Sequence, residues 1–224
     1  MNNFEIRGLS ADQVWDFENG YNWFSSPARL NKTLSQYEIY RMIEGIPGDV
    51  FELGVFKAVS FLRLCNFRAA IENDFARKIV GFDAFGKFPN SSLSLSTDHD
   101  FIEVWEEESG DGLSIQEVNR LIEFKRIQNI GLVEGDIRET IPQYLAKFPW
   151  TKIALLHLDL DVFEPTKYAL EVLFPYISSG GIVMLDDYST VEGANKAVDD
   201  FVLEKNLSVL RGKFNATPSY FVKK

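Results

Sequence analysis

The chain has 224 residues, 46% of them hydrophobic, enough for one substantial α/β core and short for two. Its net charge of −10 and lack of any Lys/Arg-rich run argue against nucleic acid, an anionic membrane or a polyanionic substrate. A lone cysteine, no apolar stretch near the roughly 20 residues of a membrane span, and a polar start (Met1-Asn2-Asn3-Phe4-Glu5) exclude an internal disulfide and point to a cytoplasmic protein.

Residues 1–47 are rich in aromatics, among them Trp15, Trp23, Phe24, Tyr37 and Tyr40, and read as short helices that cap the domain rather than as strands. The segment from Ser35 to Ile46 has helical spacing and stops at Pro47-Gly48. These aromatics are expected to cover a sheet edge or a subunit contact, with a homodimer as one outcome. The next unit, Asp49 to Ala58, is a strand running through Glu52 into a glycine turn at Gly54, followed by a helix from about Val59 to Asn73. An acid closing a strand, then a glycine where the backbone passes close to a ligand, is the first-turn pattern of nucleotide-binding sheets. Ala58 and Val59 stand where further glycines would expose amides to a pyrophosphate, which favours a ligand without phosphates. Cys65 lies in that helix between Leu64 and Phe67 and reads as a packed core thiol.

Lys78 to Phe85 is a second strand, ending at Asp83, where an acid typically accepts hydrogen bonds from ribose hydroxyls. Residues 86–128 interrupt the alternation with a polar insertion: Ser91-Ser92-Leu93, His99, the acidic run Glu106-Glu107-Glu108 and a helix from about Ser114 to Gln128. Insertions this long inside a compact domain are typically lids or binding loops. Strands at Ile130–Glu134, closing at Asp136, and at Lys152–Asp159 follow, with helices from Ile137 to Lys147 and from Pro165 to Tyr176. That last helix is predicted to end at Ser178-Ser179-Gly180-Gly181. A strand at Ile182–Leu185, a helix at Val191–Glu204 and a closing hairpin of Ser208–Phe214 and Ser219–Val222 complete the chain.

This alternation predicts an α/β Rossmann-like, doubly wound seven-stranded sheet, mostly parallel, with a C-terminal antiparallel hairpin. Two apolar strand runs end in paired acids, Asp159/Asp161 and Asp186/Asp187. Crowded carboxylates repel one another, so a hard divalent cation among them is the simplest expectation. In an extended strand, residues two apart share a face about 6.6 Å apart, which would leave Asp159 to hold an ion and Asp161 to take a proton. His157 shares that face and reads as a hydrogen-bonded core histidine.

Glu52-Leu53-Gly54-Val55-Phe56-Lys57, Asp83-Ala84-Phe85, the run from His157 to Thr166, Asp186-Asp187-Tyr188 and the helix Gly193 to Phe201 together resemble the macrocin O-methyltransferase family. The resemblance covers roughly residues 45–205. It implies a class I methyltransferase domain over residues 48–224 behind the 1–47 cap, using S-adenosyl-L-methionine and Mg2+ to methylate a hydroxyl of a sugar or glycosylated small molecule. It further implies that Asp159, Asp186 and Asp187 hold the metal and that Asp161 is the general base. Glu52 and Gly54 would border the methionine end of the cofactor, Asp83, with Phe85 beside it, the ribose, and Asp136 the adenine. Leu160 stands where the family often has glycine. The rival readings are a glycosyltransferase with an Asp-x-Asp metal site, a haloacid-dehalogenase-like phosphatase, a catechol-type methyltransferase acting on a phenol, and a non-catalytic binding module.

Overall fold

The computed structural model describes residues 4–88 and 93–224. The chain opens with a small hairpin, β1 (Glu5–Ile6) and β2 (Leu9–Ser10), then α1 (Val14–Phe24) and α2 (Pro27–Arg41). Next come β3 (Asp49–Leu53), α3 (Val59–Ile71), β4 (Ile79–Asp83), α4 (Ser96–Ser109), α5 (Ile115–Lys125), β5 (Ile130–Glu134) and α6 (Ile137–Lys147). The remaining elements are β6 (Ile153–Leu158), α7 (Phe163–Leu173), β7 (Ile177–Leu185), α8 (Glu192–Glu204), β8 (Leu210–Arg211) and β9 (Ser219–Val222). One sheet takes the order β5-β4-β3-β6-β7-β9-β8, parallel except for the antiparallel β9 and β8. The predicted seven-stranded, doubly wound sheet with its C-terminal hairpin is therefore present. No helix among the described residues is long and apolar enough to cross a membrane.

Strand side chains alternate between two buried layers, as a parallel sheet covered on both faces requires. Phe51, Val80, Leu156 and Val183 pack with α6, α7 and α8. Val50, Ile79, Leu155 and Met184 pack with α2, α3 and α5, and Cys65 lies in this layer, its thiol pushed by burial up to about 12. The chain lays β3, β4 and β5 toward one edge of the sheet, then returns to place β6 and β7 on the other side of β3. That reversal opens a crevice at the carboxyl ends of β3 and β6, where ligands of such sheets bind.

Several expectations are corrected. The N-terminal segment is not purely helical: Arg7 and Gly8 adopt φ of 48° and 79°, as a two-residue hairpin loop demands, and the Arg7 guanidinium bonds Glu117 and the Asp111 and Gly112 carbonyls. The helix predicted at 35–46 begins at Pro27, whose fixed φ suits a first helical position, and ends at Arg41. Tyr37 and Tyr40 pack on Phe67 and Phe4 stacks on Phe124, while α1 buries none of its residues within the chain and leaves Trp15, Trp23 and Phe24 exposed. Ser178 to Gly181 belong to β7 rather than to a helix end. Ile153 pairs with Ile177 while Leu155 pairs with Ile182, and Gly180, at φ 81°, donates its N–H to the Lys223 carbonyl across this bulge. In the insertion, Glu106 to Glu108 lie inside α4; Ser91 and Ser92 fall outside the described residues.

Candidate active site

The hydrogen-bond ladder runs one residue past the strands: Asp159 donates its N–H to the Leu53 carbonyl and Asp186 to the Leu158 carbonyl, each at 3.0 Å. Gly54, Asp159 and Asp186 therefore stand side by side at the rim of the sheet. Above them lies a cavity of about 490 Å3 that Gly54, Asp83, Asp136, Asp159, Asp161 and Asp187 help to line. Gly54, expected to let the backbone approach a ligand, lines the cavity, and its absent side chain also admits the neighbouring chain at Asp159. A methyl group there would stand 1.8 Å from the Asp159 carbonyl oxygen, and its φ of +91° is one that L residues rarely adopt.

Asp159 belongs to two acid groups. Its ligand atoms lie within 4.8 Å of those of Asp161 and Asp187, and within the same distance of those of His157 and Asp186. Strand alternation, predicted to bring Asp161 to this group, does not do so. β6 has ended at Leu158, and Asp161, at φ +62°, sits in a left-handed turn whose N–H donates to the Asp187 carboxylate at 3.0 Å. Burial, reinforced by mutual repulsion, raises the carboxyls of Asp159 and Asp187 well above the usual range and that of Asp161 to about 7.

Asp186 behaves oppositely because two cations face it. Burial works against its charge, yet His157 and Lys32 hold its carboxyl down at about 2. Lys32 Nζ donates to Asp186 Oδ2 at 2.5 Å, while His157 Nε2 stands 3.6 Å from Oδ1. On its other side His157 Nδ1 meets Glu52 Oε1 at 3.0 Å. Burial alone would lower the imidazolium, but the two carboxylates outweigh it and raise His157 to about 10. His157 is thus held between Glu52 on one side and Asp186 on the other. Sequence reasoning missed Lys32. It lies in α2, 154 residues from its partner, and no local pattern distinguishes it from a surface lysine.

The residues implied for the cofactor are placed unevenly. Asp83 lines the cavity, but its Oδ2 accepts the N–H groups of Val55 and Phe56, at 2.7 and 2.8 Å, and its Oδ1 that of Phe85 at 2.6 Å. Much of this carboxylate therefore goes to fixing the glycine turn. Asp136 lines the cavity and caps α6 through the Arg138 N–H. Glu52 is fully buried beneath the acids and Phe85 is packed in the core, so neither side chain is in the cavity wall. Ala58 takes the left-handed φ of 58° where glycine is usual, Leu160 lies in the wall, and His99 is exposed.

The acids suit a hard divalent cation. Their donors are carboxylate oxygens, Asp186 Oδ1 is buried without a hydrogen-bond partner, and four carboxylates face the two cations Lys32 and His157. Because the carboxyls of Asp159, Asp161 and Asp187 are raised above their unfolded values, their stabilising contribution is present at low pH. It is lost as pH rises through their folded-state values, which for Asp161 is about 7. In EDTA the melting temperature should fall by about 3–6 °C between about pH 5 and pH 8, and Mg2+ should restore more of it at the higher pH, where it competes with fewer protons. A flat profile, or equal Mg2+ effects at both pH values, would count against a cation site here.

The sheet order, the crevice at its reversal and the acids on its rim define a class I methyltransferase fold. The O-methyltransferase NovP shares it, with a TM-score of 0.75 at 21% identity over 87% of this chain and 80% of that one. Residues 26–223 match the macrocin O-methyltransferase (TylF) family, and the chain belongs to it. CalS11, described as a TDP-rhamnose 3'-O-methyltransferase of calicheamicin biosynthesis, is 28% identical, with a TM-score of 0.68 over 93% of this chain and 86% of that one. The 8-demethyl-8-(2,3-dimethoxy-alpha-L-rhamnosyl)-tetracenomycin-C 4'-O-methyltransferase of Streptomyces olivaceus is 27% identical over 164 residues, 71% of this chain. The chain spans about 60% of the length of the curated relatives it matches. With the family assigned, the phosphatase and glycosyltransferase readings of Asp159-Leu160-Asp161 fall.

Proposed function

We propose that this chain transfers the methyl group of S-adenosylmethionine to a hydroxyl of a sugar or a glycosylated small molecule, with help from a divalent cation. The observation that carries this reading is the meeting of Asp159, Asp161 and Asp187 within 4.8 Å on a cavity whose wall also includes Gly54, Asp83 and Asp136. Relatives named for 3'- and 4'-hydroxyls of rhamnosyl groups support a deoxyhexose acceptor.

When bound, the cofactor supplies an electrophilic methyl group, and a cation held by Asp159, Asp186 and Asp187 supplies Lewis-acid stabilisation of charge developing on the acceptor oxygen. Asp161 accepts the hydroxyl proton as the new C–O bond forms and the methyl–sulfur bond breaks. Its buried carboxyl, raised to about 7, is a stronger base than an ordinary aspartate. Lys32 and His157 hold Asp186 in its charged form. Phe56, Phe101 and Trp105 give the cavity an apolar wall that would exclude water from bound cofactor and acceptor.

Isothermal titration of the protein with S-adenosylhomocysteine and with Mg2+, beside an Asp159→Asn/Asp186→Asn variant, tests this directly. Micromolar cofactor-product binding in both proteins, with the Mg2+ heat confined to the wild type, is expected. S-adenosylhomocysteine release is then assayed with TDP-rhamnose, a rhamnosylated aromatic and a free catechol. Turnover of the catechol alone would overturn the sugar assignment, and absence of cofactor-product heat would overturn the reading altogether.

A further inference from the structure

Helix α7 begins two residues after Asp161, and it begins without a capping side chain of its own: its N-cap position is Val162. The first N–H groups of a helix have no intrahelical acceptor, and Ser, Thr, Asp or Asn at the N-cap normally supplies one. Here the acceptor comes from the 86–128 insertion. Asp98, in the first turn of α4, sets Oδ2 2.8 Å from the Phe163 N–H, 65 residues away in sequence.

The site that receives this carboxylate is shaped for it. Asp98 is 1% exposed, and it and Ile102 are the residues that α4 buries. A methyl group on Gly193 of α8 would stand 2.1 Å from Asp98 Oδ1, so the carboxylate enters only because residue 193 has no side chain. Glu164 and Glu192 lie close enough to repel it, so the contact is held by geometry against like charge.

The same few residues hold the turn that presents Asp161. Asp161 donates its N–H to Asp187 at 3.0 Å, Val162 to the Leu160 carbonyl at 2.7 Å, and Phe163 to Asp98. An L residue at φ +62° stays there only while its surroundings hold it. Helix α4 also carries Phe101 and Trp105 into the cavity wall, so the element that supplies the third of these contacts is one that covers the site.

We propose that Asp98 is a positioning residue: by capping α7 from α4, it couples the seating of α4 over the cavity to the turn that presents Asp161. The proposal rests on the methyltransferase reading above. Asp98 touches neither acceptor nor cofactor in this role; it acts through the Phe163 N–H.

Amide hydrogen exchange read by mass spectrometry tests it, with S-adenosylhomocysteine as the probe. In the wild type, S-adenosylhomocysteine is expected to slow exchange both at residues 54–58 and at residues 160–166. In Asp98→Ala, residues 160–166 should exchange at least about tenfold faster and gain no protection from the probe, while residues 54–58 remain protected. Asp98→Asn, whose carboxamide oxygen accepts the same N–H, should restore the wild-type pattern. Asp98→Ser, whose shorter side chain withdraws the acceptor from the Phe163 N–H, should reproduce Asp98→Ala, and this covers the case in which Asp98→Ala does not fold. Retained probe-dependent protection at 160–166 in both Asp98→Ala and Asp98→Ser would overturn the proposal, as would an Asp98→Asn protein indistinguishable from Asp98→Ala. A wild type in which the probe protects no segment would instead overturn the cofactor reading.

Discussion

Replacing Asp161 by asparagine is expected to lower turnover about 100- to 10,000-fold, the range over which a positioned proton acceptor contributes. Asparagine tolerates the left-handed φ of +62° that Asp161 adopts better than most residues, so the turn and its N–H bond to Asp187 survive the exchange. What is lost is the ability to take a proton. Binding of S-adenosylhomocysteine should change by no more than about threefold, because Asp161 stands with the acids and not beside the Gly54–Asp83 turn. Initial rates with the best acceptor of the panel, together with titration of S-adenosylhomocysteine, provide the check. A variant retaining a third or more of wild-type turnover would remove Asp161 from the role of base and leave it a member of the acid group only.

Gly54→Ala is expected to cost about 3–5 kcal/mol of stability, lowering the melting temperature by about 10 °C, and to abolish Mg2+ binding. The added methyl group would lie 1.8 Å from the carbonyl oxygen of Asp159, backbone against backbone, so no side-chain rotation relieves the contact. Either β3 or the end of β6 must move, and the end of β6 carries Asp159 into both acid groups. Gly110→Ala separates clash from strain. Gly110 also has a positive φ, +62°, with ψ −172°, but nothing lies within 4 Å of an added methyl group, so only the conformational cost of about 1–3 kcal/mol applies. Thermal unfolding of the two variants side by side decides the matter: equal losses would mean that the approach of Gly54 to Asp159 is unimportant.

The strands ending in acids were legible because each is a local event. A buried run of apolar residues must satisfy its backbone in a ladder, and the first acids after it mark where burial stops. Gly180-Gly181 misled for the same reason that glycine is informative, since it permits a positive φ without saying whether a helix end or a strand bulge uses it. The N-terminal hairpin escaped notice because its strands are two residues each, too short for any periodicity. Gly54 was legible as a required glycine on the cavity, but its second neighbour was not, since Asp159 lies more than a hundred positions later.

The alternation of strands and helices, the order in which acids close the strands, and the resemblance to the family are all local in the chain, because hydrophobic burial and backbone hydrogen bonding write short-range patterns. Which strand ends are neighbours is a property of the folded chain. Placing β6 beside β3 sets His157 against Glu52, and folding α2 over that face brings Lys32 to Asp186. A left-handed turn, not the pleat, returns Asp161 to Asp159 and Asp187. Charge–charge and close-packing contacts fall off within a few Å and take no account of separation along the chain. Residues 105 and 154 positions apart are therefore paired by the fold alone.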